Sequence, residues 1–383
     1  MIATGRRCAT RRNSARLLYL DANASEPLRP AARAAALAAL DLTGNPASIH
    51  AAGRAARRLL EEVRETLASQ FATSPADVVL TAGGTEANAL AVAALGAGRR
   101  VLRGATEHPA VAAAAPSAAI LPVLPDGTAD LEALNAAMEG QPPALVCLMA
   151  ANNETGVLHP LAAAAAICAA HGALLHVDGV QAAGRVAIPP VWDSLALSGH
   201  KLGGPKGAGA LLFRRGLAAR LTPAPLVAGG GQERGWRGGT EALPALAGMA
   251  AALLVPDTGV IAALAAEIAA GAEGAILAGG TAPRLPNTLN LILPGVAAER
   301  QVIALDLAGI AVSAGAACSS GKVASSAVLA AMGFGADAGC GIRVSLPWNA
   351  PPEAPARFLA AWRAMRDRMR PSFPAPAAPS IQR

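Results

Sequence analysis

With 383 residues, 53% of them hydrophobic and 15% charged, the chain is long enough for a large domain with a smaller one attached and apolar enough to bury a core. Its net charge of +6, from 32 basic and 26 acidic residues, comes with only 3% aromatic residues, too few stacking platforms to argue for nucleic-acid binding. The alanine-rich windows are too weakly apolar to read as membrane spans.

Residues 1–17 open the chain as a basic extension, with Arg6, Arg7, Arg11, Arg12 and Arg16 and no acidic partner. Such a start suits a targeting segment or an anion-binding arm, but a solvated, disordered extension is the plainer expectation, and it lacks the apolar core of a secretion signal. The five cysteines, Cys8, Cys147, Cys168, Cys318 and Cys340, are odd in number and contain no CxxC pair, so neither a zinc site nor a redox dithiol is expected. Cys147 and Cys168 sit in apolar runs and read as small buried hydrophobes. The expected compartment is the reducing cytoplasm.

From about residue 54 to 250, helical and strand patterns alternate. The spacing of Leu59, Leu60, Val63 and Leu67 predicts an amphipathic helix over 54–71, and "DVVLTAGGTEANALAVAAL" reads as strand, tight turn and helix. Further strands are expected at "ALVCLMA", "ALLHVD", "SLALSG" and "AGALLF". Such alternation implies an α/β domain over 18–250, with a mostly parallel sheet between helices and its ligand at the carboxyl ends of the strands. After an alanine-rich helical stretch, "RLPNTLNLILPG" and "GIAVSAGAAC" look like strands of a smaller α+β domain over 251–368, and the proline-rich 369–383 reads as a disordered tail.

Polar residues collect at the expected strand ends. Gly83-Gly84-Thr85 opens a helix after a strand, a place where backbone N–H groups can hold a phosphate, although a glycine turn with Thr85 as an N-cap is common without any ligand. His108 follows another strand, and a lone histidine there is more often structural. Asn152-Asn153 ends "ALVCLMA" and suits either an Asx turn or a hydrogen-bonding site. Asp178 closes a buried strand, where a carboxylate needs a cation or a protonated nitrogen, and Gln181 follows three residues later. Lys201 follows Ser198-Gly199-His200 at another strand end; alone it would read as a snorkelling lysine, but a desolvated lysine can form a Schiff base with a carbonyl compound. An amine for an aldehyde, a carboxylate for a pyridinium nitrogen, a helix N-terminus for a phosphate and a histidine near a ring are together what pyridoxal phosphate requires.

The ordered motifs "GNPASIH", "TAGGTEAN", "TEHPAV", "ANNETG", "HVDGVQ", "SGHKLGGPKG", "GGGQERGWRGGTEA", "RLPNTLN" and "VSAGAACSSG" span nearly the whole chain. They resemble those of the cysteine desulfurases of the NifS and IscS type, within the class-V aminotransferase superfamily of pyridoxal-phosphate enzymes. The resemblance implies fold type I, with a seven-stranded sheet in the large domain, whose first residues are placed where they can pack with the smaller one. It implies that Lys201 binds the cofactor covalently, His108 stacks on its ring, Asp178 pairs with its ring nitrogen and Gln181 reaches its phenolic oxygen. Gly84, Thr85, Ser198 and His200 would hold the phosphate, with Thr240 reaching it from the partner subunit of a homodimer. Asn153, beside the cofactor, and Arg343 would face L-cysteine. Cys318 would take the substrate sulfur as a persulfide, releasing L-alanine, pass it to an acceptor or iron–sulfur scaffold protein for cluster assembly or thiolation, and transiently ligate a cluster; no resident metal is implied. The "ACSSG" motif resembles the group whose cysteine lies on a longer mobile loop.

Two departures stand out. Ser25 and Glu26 replace two threonines of the usual N-terminal pattern, with an altered substrate preference or efficiency as the expected effect, and Ala316 replaces a serine. A selenocysteine lyase, an aminotransferase or a kynureninase-like lyase would use the same cofactor, and a degenerate binding subunit would use none; Lys201, Asp178, His108 and Cys318 together favour the desulfurase.

Overall fold

The computed structural model describes residues 17–255, 259–315 and 325–369. The strands in chain order are β1 (Leu18–Tyr19), β2 (Val78–Thr81), β3 (Arg100–Gly104), β4 (Ala119–Leu121), β5 (Ala144–Met149), β6 (Leu174–Asp178), β7 (Ser194–Ser198) and β8 (Gly209–Phe213), then β9 (Ile276–Leu277), β10 (Thr288–Ile292), β11 (Ile310–Ala311), β12 (Ser313–Ala314) and β13 (Gly341–Ser345). A seven-stranded sheet runs in the order β2-β8-β7-β6-β5-β3-β4, and only β8 is antiparallel to its neighbours. This is the α/β architecture expected from the alternating pattern.

Burial on both faces explains why the strands read as continuous apolar runs. In β5, Val146 and Leu148 join one hydrophobic cluster while Leu145 and Cys147 join the cluster on the opposite face. In β8, Ala210 and Leu212 divide from Leu211 and Phe213 in the same way, as a two-residue period requires. The predicted amphipathic helix runs from Ala51 to Gln70 and buries Leu60, Val63 and Leu67, leaving Leu59 half-buried at the edge of the stripe. Each fully buried leucine of that kind stabilises the fold by roughly 2 kcal/mol. Cys147 and Cys168 are buried in these cores, as their apolar surroundings indicated.

A second, four-stranded antiparallel sheet, β12-β13-β10-β9, packs against the helices Val260–Gly271 and Ala354–Met369. β1 pairs in parallel with β11, and Leu18 and Leu20 enter this smaller core beside Phe358 and Trp362. Beyond β1, Asp21 bridges to Ser345 at the end of β13, and the segment then reaches the turn after β7, where the Glu26 N–H donates to the His200 carbonyl at 2.9 Å. The basic extension, the proline-rich tail and the Cys318 segment with its expected mobile loop lie outside the described residues. No helix among the described residues is long and apolar enough to cross a membrane.

Candidate active site

Asp178 and Ser198 end adjacent parallel strands, with Asp178 paired to Ala196 two residues short of the end of β7. Immediately beyond Ser198, a single helical turn, Gly199–Leu202, closes on Gly203 in the left-handed region (φ 87°), where L side chains are strained. That turn carries His200 and Lys201 over the strand ends. The Lys201 amine donates to the backbone carbonyl of Asn23 and, at 3.0 Å, to that of Ala24. Burial first, then the Arg343 and Arg185 cations, lower its pKa from 10.5 to about 8, against the opposing pull of Asp21 and Asp178. A reactive neutral amine is therefore within reach near neutral pH.

Asp178 is held by a buried polar relay. Its Oδ2 accepts from Asn88 Nδ2 at 2.8 Å and its Oδ1 from the Val180 N–H at 3.0 Å. Asn88 Oδ1 faces His176 Nε2 at 2.8 Å, and His176 Nδ1 faces Ser194 Oγ at 2.8 Å. Burial lowers the His176 pKa to about 4, so the ring is neutral. Since the Asn88 amide nitrogen is committed to Asp178, its oxygen must accept; Nε2–H therefore donates and Nδ1 accepts from Ser194. Burial pushes the Asp178 carboxyl up, opposed by Val180 N–H, His108, Asn88 and Lys201. A carboxyl so placed fits a cationic N–H partner, which would favour its charged form. Asn88 was legible as one of the few polar residues in the otherwise apolar helix Gly84–Gly96, but its target lies 90 residues away.

His108 lies at the open side of the site, exposed at its edge, and its Nδ1 accepts from the Ala110 N–H at 3.1 Å to cap the helix Pro109–Ala114. The structural role expected of a lone histidine is thus real, and it leaves Nε2 outside that cap. Burial lowers its pKa, and Lys201 lowers it further against the pull of Asp178. The pKa of His200 falls to about 4 through burial and the Lys201 and Lys206 charges, and its Nδ1 lies 3.5 Å from Ser25 Oγ.

The glycine turn differs from its expected cap. Gly83, not Thr85, is the N-cap of the helix Gly84–Gly96; Thr85 lies exposed inside the first turn, because the helix starts two residues early with Glu86 Oε2 accepting from the Ala82 N–H at 2.7 Å. Gly84 is pressed against the end of β7 and the loop after β6: a Cβ there would meet Val180 Cγ2 at 2.6 Å and Ser198 Cβ at 3.3 Å. The result is a bare backbone cradle beside Ser198. Thr240 is exposed in its own chain.

Of the two asparagines, Asn152 takes the turn role, its Oδ1 accepting from the Glu154 and Thr155 N–H groups at 2.9 Å each. Asn153 contributes its carbonyl, which accepts from Arg343 Nη1 and Asn23 Nδ2 at 3.1 Å each. Arg343 is no surface residue: it is buried on β13, donates from Nη2 to Asp21 at 2.7 Å, and keeps a buried Nε with no partner among the described residues. That orphaned charged donor suits a small carboxylate. Gln181 donates through Nε2 to the Asn23 carbonyl at 3.1 Å.

Sequence reasoning missed how much of the site the segment Asp21–Glu26 builds. Asn23 alone ties Lys201, Gln181, Asn153 and Thr288 together. Glu154 was also missed; its carboxyl, pushed up by burial, accepts from Ser326 Oγ at 2.6 Å at the start of the helix Ala327–Ala331. Lys201, Asp178, His108, Gln181, Ser198, His200, Gly84 and Arg343 are brought together around the strand ends, while Cys318 is outside the described residues.

The chain is similar to known proteins along most of its length. The family described as Aminotransferase class-V matches residues 18–353. A cysteine desulfurase of Cereibacter sphaeroides is 39% identical over 323 residues, covering 78% of this chain and 82% of that protein. Among solved structures, a NifS-like protein from Rickettsia africae superposes with a TM-score of 0.84 at 29% identity, over 92% of this chain and 99% of the other. The structure of SspA in complex with cysteine superposes with a TM-score of 0.77 at 26% identity, over 86% and 99% of the two chains.

Proposed function

Because the chain belongs to the class-V aminotransferase family, we propose that it is a cysteine desulfurase, which converts L-cysteine to L-alanine with pyridoxal phosphate and transfers the sulfur to its own Cys318. One observation carries the proposal: a half-buried lysine whose pKa is lowered to about 8 stands over the same strand ends as a carboxylate oriented by a buried relay. A relative solved with cysteine and a relative named cysteine desulfurase support the choice of substrate.

The residues fit the cofactor. Lys201 would hold its aldehyde carbon, Asp178 its ring nitrogen, Gln181 its phenolic oxygen and His108 one face of its ring. The cradle at Gly84 and Thr85, with Ser198 and His200, would hold its phosphate, completed by Thr240 of a second copy in a homodimer. When bound, pyridoxal phosphate supplies an electron-accepting ring that stabilises negative charge developing at the α-carbon of an amino acid.

The chain's own residues do the rest. Arg343 would bind the substrate carboxylate through its unpartnered Nε and the Nη2 now held by Asp21, beside Asn153. The Lys201 amine, neutral in half of the molecules near pH 8, takes the α-proton and later returns one to the product side. The Cys318 thiolate attacks the substrate sulfur: the carbon–sulfur bond breaks, the sulfur–sulfur bond of a persulfide forms, and the remaining three carbons leave as alanine. An acceptor thiol on an iron–sulfur scaffold or other acceptor protein in the cytoplasm would then take the persulfide sulfur by thiol exchange.

The test is to add pyridoxal phosphate to the purified protein, look for a visible absorbance band, and measure sulfide and alanine from L-cysteine with a reductant. Equal amounts of both are expected. Cys318→Ala should keep the band and lose sulfide release; protein that stays colourless, or a Cys318→Ala variant releasing sulfide at the original rate, would refute the reading. Comparing L-selenocysteine with L-cysteine as substrate separates the selenocysteine lyase alternative.

A further inference from the structure

Glu26, one of the two positions at which the N-terminal motif departs from its usual threonines, is buried in the structure. Its Oε2 accepts from Arg185 Nη2 at 2.8 Å and its Oε1 from the Trp348 N–H at 2.7 Å, with both side chains of the ion pair less than one-tenth exposed. From that anchored position Arg185 Nη1 donates to Gln181 twice, to its backbone oxygen at 3.0 Å and to its side-chain Oε1 at 2.7 Å. Gln181 Nε2 then donates to the Asn23 carbonyl, the same oxygen that accepts from the Lys201 amine.

A carboxamide has two ends of nearly equal size, one accepting and one donating, and shape alone does not decide which end faces a site. Arginine decides it, because a guanidinium carries donors only. With Arg185 held by Glu26, Oε1 must turn to Arg185 and the amino end must face Lys201. One of its two hydrogens serves Asn23, and the other remains for an acceptor. A threonine at position 26 would carry no charge to hold the guanidinium in a buried place, where an unpaired cation is costly.

We propose that the Glu26–Arg185 ion pair is a positioning device that locks the Gln181 carboxamide with its amino end toward Lys201, so that Gln181 serves the site as a hydrogen-bond donor to an anionic ring oxygen. The inference rests on the functional reading above for the identity of that oxygen. Neither Glu26 nor Arg185 touches the reacting atoms; both act through Gln181.

The experiment is a double-mutant cycle on protein loaded with pyridoxal phosphate, read as the pH midpoint of its visible band. Replacing the pair as a unit, Glu26→Gln with Arg185→Met, leaves no lone buried charge and keeps the total charge, removing only the pull of Arg185 on Lys201, while Asp178, His108 and Arg343 stay in place. Without a fixed donor the ring oxygen holds the shared proton of the lysine nitrogen more tightly. The midpoint should therefore rise by about half to one pH unit, the size of one lost neutral hydrogen bond. On a Gln181→Ala background the same paired replacement should give a clearly smaller rise, the part that comes from losing the Arg185 charge near Lys201 alone. Arg185→Lys, which keeps the charge but not the fork, should give a partial rise. An unmoved midpoint in the original background, or equal shifts in both backgrounds, would overturn the inference. An unsubstituted protein with no visible band would overturn the functional reading itself, a result plainly different from the other two.

Discussion

The amine of Lys201 should become reactive at a pH far below that of a free lysine. Burial and the Arg343 and Arg185 charges take its pKa from 10.5 to about 8, a difference of about 2.5. At any pH below both values, the neutral fraction is larger by ten raised to that difference, about 300-fold. The sign follows from the charge: a lowered lysine pKa means that the ammonium is lost as pH rises through about 8. Capture of pyridoxal phosphate by the cofactor-free protein, followed as growth of the visible band under excess cofactor, should accelerate about tenfold per pH unit from pH 6 and level off near 8. His200 is neutral above about 4 and adds no step in this range. A rate that keeps climbing through pH 10 would refute the argument that the fold desolvates this amine. Lys201→Ala should give no such band at any pH.

Asn88→Ala removes the donor to Asp178 and the acceptor for His176, and should cost about 1–3 kcal/mol of stability in urea unfolding together with weaker cofactor retention on dialysis. Unchanged values on both measurements would deny the relay its role. Gly209→Ala would place a Cβ 2.5 Å from the Gly83 Cα and carbonyl carbon, so the turn before the helix Gly84–Gly96 must shift. A loss of about 1–3 kcal/mol and a higher dissociation constant for pyridoxal phosphate are expected, and an unaltered melting temperature would contradict the close approach. Arg343→Gln should lower kcat/KM for L-cysteine by about 10- to 100-fold, chiefly through KM, since a charge-assisted pair to the substrate carboxylate is lost. A change below about twofold would remove Arg343 from substrate binding.

Much of this molecule is legible in one dimension. The two-residue alternation inside β5 and β8 and the helical stripe of Leu60, Val63 and Leu67 follow from which faces must be buried, and that is a local property of the pattern. Lys201, Asp178, Gly84 and Gln181 were legible for a related reason: each interrupts or ends an apolar run, and a parallel sheet brings the ends of such runs together. What the chain alone did not disclose depends on contacts between residues far apart in it. A glycine turn followed by Thr85 has the local signature of a cap, yet the helix begins at Gly84 since Glu86 closes the turn instead. Arg343 reads as an ordinary strand residue until β13 is set beside the segment carrying Asp21, 322 residues earlier. The same holds for Asn88 beneath Asp178 and for Glu26 beside Arg185, where a polar side chain acquires its function from a partner that only folding supplies. Periodicity reports the environment of a backbone segment, whereas the orientation of a buried polar group is decided by where its hydrogen-bond partners lie in three dimensions.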